Sequence, residues 1–264
     1  MQARSALFDL YGDHLRPRGG RAAVAALVRL LAPLGIAAPA VRTAVSRMVR
    51  QDWLQPLRLP TGPGYGITPK AARRLDAAGA RIYRTQKGQT AWNGQFDLIM
   101  LEPPQHRGAR AKLVANLGFL GYGTIDGATW ISPRPGEGVD GLLQEAGVRY
   151  DRFRAAHAGG TAGALKMVER AWDLDGIAAA YGEFVERLGP LVGSVGPGTT
   201  DEQAYAVRFM LVHAWRAFLF KDPQLPVDLL PERWAGNAAA VFFDRHAGRL
   251  RPAADRYVEG CLSV

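Results

Sequence analysis

The sequence has a single cysteine, Cys261, in 264 residues. One thiol closes no internal disulfide and builds no cysteine-based zinc module. Long apolar runs are missing as well. Nothing approaches the roughly 18 uninterrupted apolar residues that mark a membrane helix, and the N-terminus lacks the apolar core of a secretory signal. The common catalytic signatures are also absent. There is no phosphate-binding glycine loop, no H-E-x-x-H pair and no G-x-S-x-G elbow, since Gly193-Ser194-Val195-Gly196 misses that spacing by one residue. The five histidines show no metal-ligand spacing. These absences exclude a membrane span, a disulfide scaffold and the usual metal sites. They lead to the expectation of a cytoplasmic protein that is not an enzyme and holds no cofactor or metal.

Acidic residues are scarce at one end only. Residues 1–90 carry 15 Lys+Arg against 4 Asp+Glu, a net of +11, whereas residues 91–264 net −2. The overall charge of +9 therefore sits wholly in the first third. Such segregation suggests a polyanion-binding module joined to a near-neutral body. With 48% hydrophobic residues the chain has ample material for a core. Three divisions are expected: residues 1–90, 91–157 and 164–264, the last two joined by the glycine-rich linker 158–163.

In the first division a short helix is expected over residues 5–11, broken by Pro17-Arg18-Gly19-Gly20. A second helix reads over 21–31, with Val24, Leu27, Val28 and Leu31 at helical spacing. Pro33-Leu34-Gly35-Ile36 makes a turn, and Gly35 suits a backbone position of positive φ. A third helix reads from Pro39 to Gln51. Val41, Ala44, Val45, Met48 and Val49 form its apolar stripe. Arg42, Thr43, Ser46, Arg47 and Arg50 fall on the other face, which carries no acid. Arginine pairs bidentately with guanine, and all five side chains can bond phosphate oxygens. Helix, glycine turn and basic helix make the helix-turn-helix pattern. Strand-like runs at 54–59 and 65–68 flank a tip at 60–64 and read as a β-wing. A helix over 69–83 follows. Arg16, Arg18, Arg58 and Arg74 are expected to add backbone charge.

The middle division reads β-α-β-β-α-β: strand 96–101, helix 107–117, strands 122–125 and 128–132, helix 139–146, strand 148–153. Leu113, Val114 and Leu117 are expected inward on the first of these helices. Asp126-Gly127 signals a type I′ hairpin. The order is that of the ferredoxin-like split unit, for which dimerisation or scaffolding is the default role. The last division reads as helices: 175–188, a capped helix opening at Thr200-Asp201-Glu202-Gln203 and running to 220, then 236–247 and 252–261. An irregular, proline-rich connector spans 222–234.

Several of these motifs, in this order and spacing, resemble the phenylacetic-acid-operon repressor family, PaaX, over nearly the whole chain. They are Leu10-Tyr11-Gly12-Asp13 with Arg16-Pro17-Arg18-Gly19-Gly20, Pro33-Leu34-Gly35-Ile36, Ala40 to Val49 with Trp53-Leu54, Gly118-Phe119, Trp130-Ile131-Ser132-Pro133, Asp222 to Pro226 and Leu229 to Trp234. The resemblance implies an α+β, multidomain, dimeric repressor with a winged helix-turn-helix, a ferredoxin-like middle domain and a helical C-terminal domain. It also implies double-stranded operator DNA as partner and release by an aryl-acyl-CoA such as phenylacetyl-CoA. The wing departs from the family pattern, because its tip carries no arginine. A CoA thioester needs cations for its phosphates, for which Arg152, Arg154, His213 and Arg216 are the effector-binding candidates on composition. Two other functions are weighed: an effector-independent nucleic-acid binder, and a metal-dependent nuclease using Asp97 and Glu102 of the middle division.

Overall fold

A computed structural model describes residues 1–82, 91–134, 136, 138–219 and 221–263. Its helices and strands, in chain order, are α1 (Ala3–Asp9), β1 (Arg21–Ala23), α2 (Val24–Leu31), α3 (Ala38–Arg50), β2 (Leu54–Leu59), β3 (Gly62–Ile67), α4 (Pro69–Ile82), β4 (Gln95–Leu101), α5 (Arg107–Phe119), β5 (Gly123–Thr124), β6 (Thr129–Ser132), α6 (Val139–Glu145), β7 (Tyr150–Ala156), α7 (Gly160–Ala171), α8 (Leu174–Gly193), α9 (Asp201–Arg216) and α10 (Ala235–Leu262). The chain divides into two compact units. One comprises Met1–Tyr83, Phe184–Arg216 and Ala240–Val264; the other comprises Arg84–Glu183 and Ala217–Ala239. Residues 164–264 thus contribute to both.

The first unit is built on α1 to α3. A π-helical turn (Leu10–Leu15) and a 3₁₀ turn (Arg16–Arg18) prolong α1, so the expected break falls later than proline alone suggests. It comes at Gly19 and Gly20, whose φ of 87° and 65° reverse the chain. The expected helix over 21–31 is corrected at its start: Arg21–Ala23 is a strand. It joins the β2–β3 hairpin in the antiparallel order β1-β3-β2, with Ala23 opposite Gly64. Glycine is required there, because a Cβ on Gly64 would lie 2.7 Å from the Ala22 carbonyl oxygen. The hairpin turns on Pro60 and Thr61 only, and pairing resumes at Gly62.

Leu7, Leu10, Leu27, Leu30, Val41, Val45 and Met48 form one core with Tyr205 and Phe209 of α9 and with Ala254 and Val258 of α10. This burial explains a second correction. The two helices expected at 236–247 and 252–261 are a single helix that passes through Pro252. Proline inside a helix costs about 3 kcal/mol; Ala254 and Val258, both 0% exposed, hold the continuation in the core. The capping box of α9 forms as read: Gln203 N–H donates to Thr200 Oγ1 at 3.2 Å, and Thr200 N–H donates to Gln203 Oε1 at 3.0 Å.

A polar seam crosses that core. Arg208, 4% exposed, pairs with Asp13 and donates from Nε to the Ala247 carbonyl at 3.2 Å. His14 lies against this pair and is itself 2% exposed. Burial, opposed by Asp13 and aided by Arg208, lowers its pKa from 6.5 to about 4. His14 is therefore neutral in the folded protein, and only the unfolded chain takes a proton as pH falls below 6.5. Stability is fully present above that pH and is lost on the way down to about 4, by ~3 kcal/mol from this group. Urea midpoints measured between pH 7.5 and 4.5 are expected to fall. His14→Asn is expected to flatten the fall, and an equal slope in that variant removes His14 as its source.

In the second unit β5, β6, β4 and β7 form an antiparallel sheet in the order β5-β6-β4-β7, which is the ferredoxin-like arrangement. Ile99, Leu101, Leu113, Leu117, Trp130, Val139 and Leu143 make its core. Val114 is corrected: it is 45% exposed, because it lies one residue off the Leu113–Leu117 line. The last strand is shifted to Tyr150–Ala156, and α7 takes up most of the expected linker from Gly160 onward. The type I′ turn is also corrected. Gly127 has φ 87°, but Asp126 is not among the residues of positive φ. The Asp126 carboxylate instead accepts the N–H groups of Ala128 at 2.9 Å and Thr129 at 2.6 Å, closing a wider loop. The 222–234 connector is irregular as read, with one 3₁₀ turn at Val227–Leu229. Among the described residues no helix is long and apolar enough to cross a membrane.

Candidate nucleic-acid interface

Helix α3 is set by what surrounds it. Gly35, at φ 73°, ends the turn from α2, Ala37 is extended, and Pro39 lies in the first helical turn. Val41, Val45 and Met48 are 0%, 2% and 1% exposed, so the helix cannot roll about its axis without breaking the core. The opposite arc then has to face solvent. Arg42, Thr43, Ser46, Arg47 and Arg50 are all exposed. Among the described residues, no carboxylate pairs with Arg42, Arg47 or Arg50.

The reason lies in how the few local acids are used. Asp9 faces His213 (Nδ1 to Oδ2 2.5 Å) and pairs with Arg216, while Asp13 pairs with Arg208. Asp52 lies 3.7 Å from Lys70, and Asp76 pairs with Arg16. All four acids of residues 1–90 are therefore committed away from α3. What remains is three guanidiniums and two hydroxyls on one rigid, solvated arc, a surface able to donate to phosphate oxygens and to base edges.

The other sequence candidates separate clearly. Arg58 is exposed on β2, opposite Pro63. Arg16 donates to the Ala72 carbonyl at 3.2 Å besides pairing with Asp76. Arg18 donates to the His14 carbonyl and to Asp255, both at 3.0 Å, and to Glu259 at 3.1 Å. Arg16 and Arg18 thus serve internal ion pairs. The Arg74 side chain lies outside the described residues.

Arg216 is bound to Asp9 and donates to Ser5 Oγ at 3.3 Å, in the same first-unit cluster as His213. In the second unit Arg152 and Arg154 alternate along β7 and so share one face of the strand. Arg152 grips the buried Asp97 from Nε (3.0 Å) and Nη2 (2.9 Å), and reaches Asp140 at 2.5 Å. Tyr122 donates its hydroxyl to the same Asp97. Arg154 is exposed. The structure therefore gives Arg152, His213 and Arg216 partners of their own.

Asp97 and Glu102, weighed above as nuclease acids, do not form a cation site. Asp97 is 4% exposed and occupied by Arg152 and Tyr122, and Glu102 pairs with Arg149 at 3.0 Å. No group of three metal-binding side chains occurs among the described residues. Sequence reasoning missed the Asp13–Arg208 seam. The available signal was the pair Asp9 and Asp13 in a segment otherwise poor in acids, which a basic surface alone has no use for.

Comparison with known proteins matches nearly the whole chain. Residues 89–166 match the PaaX protein central Cas2-like domain, in accord with the ferredoxin-like sheet. Residues 2–71 match the model for PaaX-like protein, and residues 172–260 its C-terminal domain. The chain is 32% identical over 262 residues to the "Transcriptional repressor PaaX" of Escherichia coli (strain K12), covering 96% of this chain and 82% of that one. It also shares its fold, at TM-score 0.62 and 21% identity, with the "Uncharacterized protein Rv0674 from Mycobacterium tuberculosis", over 97% of this chain and 98% of that one. These matches place a Cas2-like middle domain between two further PaaX-like domains. The chain belongs to the PaaX family.

Proposed function

We propose that this protein is a ligand-responsive transcriptional repressor that binds operator DNA through a winged helix formed by α1–α3 and the β2–β3 hairpin. The observation that carries the reading is the acid-free, exposed face of α3, fixed by its buried stripe. That helix would enter the major groove, with Arg42, Thr43, Ser46, Arg47 and Arg50 contacting bases and phosphates. The name of the Escherichia coli relative supports repression as the regulatory sense. A homodimer would present two such helices to an inverted repeat, about one helical turn apart. The ferredoxin-like sheet is the proposed scaffold for dimer formation.

The effector is proposed to be an aryl-acyl-CoA thioester, phenylacetyl-CoA first, from an aromatic-acid catabolic route. It would release the operator only by binding the DNA-free state more tightly than the DNA-bound one. Arg154 is the candidate phosphate contact whose side chain is exposed. A shift assay on the protein's own upstream and neighbouring promoters tests the reading, run at near-physiological salt with excess random DNA. A specific shift that phenylacetyl-CoA abolishes, and free CoA or phenylacetate does not, is the expected result. A shift indifferent to the thioester removes the effector. A shift lost equally to random DNA leaves the effector-independent binder instead.

A further inference from the structure

Beside α3 runs a groove that brings the start of α1 to the edge of the proposed contact face. Its volume is about 680 Å³, and its walls are the start of α1 and the flank of α3. Arg4 lines it from α1 and Thr43 and Arg47 line it from α3; Ala3, Ala40 and Ala44 are among the other lining residues. Arg4 and Arg47 are both exposed, and neither has a carboxylate partner among the described residues. A lining with three alanines leaves room for a tetrahedral oxyanion. No acid lines the groove.

Arg4 is also held in place. Its guanidinium carbon lies 5.6 Å from the centroid of the Phe8 ring, and Phe8 packs edge-on against Trp53 at 4.4 Å. This cation–π contact draws the guanidinium to the Phe8 ring, and its N–H groups can still donate to an anion. The groove takes in only one edge of the proposed contact face. Arg42, Ser46 and Arg50 follow one line at i, i+4 and i+8, whereas Thr43 and Arg47 follow the neighbouring line toward α1.

We propose that this groove is a binding site for a DNA backbone phosphate, with Arg4 and Arg47 as paired donors and Thr43 as a hydroxyl donor. The proposal rests on the DNA-binding reading above and adds to it a contact from outside the helix-turn-helix. Arg4 thereby sets how deeply and at what angle α3 enters the groove. It is a positioning residue without sequence preference of its own, because a phosphate contact carries no base information.

The test is fluorescence anisotropy of a labelled short duplex of mixed sequence, titrated with the wild-type protein, Arg4→Ala, Arg4→Lys and Ala40→Glu. Salt is varied between about 50 and 200 mM, since each phosphate neutralised contributes about 0.9 to the slope of log affinity against log salt. Arg4→Ala is expected to bind about tenfold more weakly at the low-salt end and to lose close to one phosphate from that slope. Arg4→Lys is expected to keep the slope. Ala40→Glu is expected to weaken binding at least as much as Arg4→Ala, because a carboxylate takes the place of the phosphate. Thermal melts of all three should match the wild type, since Arg4 and Ala40 are exposed. An Arg4→Ala slope equal to the wild type's overturns the phosphate site while leaving DNA binding intact. A wild-type protein that does not bind the duplex at all overturns the DNA-binding reading itself.

Discussion

Arg42→Ala is expected to lower affinity for the selected operator by about ten- to a hundredfold, with little change on random DNA. A bidentate guanidinium–guanine pair is worth about 1–3 kcal/mol of discrimination. The Arg42→Ala, Arg47→Ala double variant is expected to abolish discrimination and also to lower non-specific affinity, because Arg47 reaches both the helix face and the phosphate groove. An operator chosen in vitro from a random library supplies the specific probe, and mixed-sequence DNA the reference. Both arginines are exposed and make no carboxylate pair among the described residues, so the variants should melt within about 0.5 kcal/mol of the wild type. Unchanged operator affinity in Arg42→Ala removes α3 from the role of reading helix.

Arg208→Met is expected to destabilise the first unit by about 3–5 kcal/mol, as urea unfolding would measure. The pair it breaks is deep: the side chains of Arg208 and Asp13 are 5% and 11% exposed. Removing the guanidinium leaves the Asp13 carboxylate beside His14 and frees the Ala247 carbonyl, both shielded from water. Replacing both partners, Asp13→Leu with Arg208→Met, should recover most of the loss, because no charge is then stranded. A single-variant loss under about 1 kcal/mol means that water reaches the seam and the pair is not structural.

These two predictions differ in how far the sequence discloses them. The α3 assignment is legible because it is local. The stripe Val41, Ala44, Val45 and Met48, the turn at Gly35 and the missing acids all lie within one short stretch, and each element obeys its own periodicity. The ferredoxin-like order is legible for the same reason. The Arg208–Asp13 pair joins residues 195 apart, and the ties of Arg18 to Asp255 and Glu259 span still more. No spacing rule reaches that distance. Arg16, Arg18, His213, Arg216 and Arg152 therefore look like free cations in the sequence, although carboxylates hold all of them.

Short elements fail differently. Strand β1 has three residues and exists by pairing with β3, so its apolar residues look like the first turn of α2. Pro252 gives a strong local signal to stop, and the core overrides it. The hairpin at Asp126-Gly127 has the right residues, but the aspartate bonds its own loop in preference to taking positive φ.

The joint core of α1–α3 with α9 and α10 also dictates a timetable. A ribosome makes the basic helix α3 well before α10, the helix that completes its packing. While the chain is still being translated, Leu7, Leu27, Val41 and Met48 have no Ala254 or Val258 to share a core with. Exposed apolar surface of that kind is what chaperones bind and what leads nascent chains to aggregate. Helix α3 is therefore not locked in place until α10 has been made, and a chain cut short before α10 is expected to be sticky and short-lived.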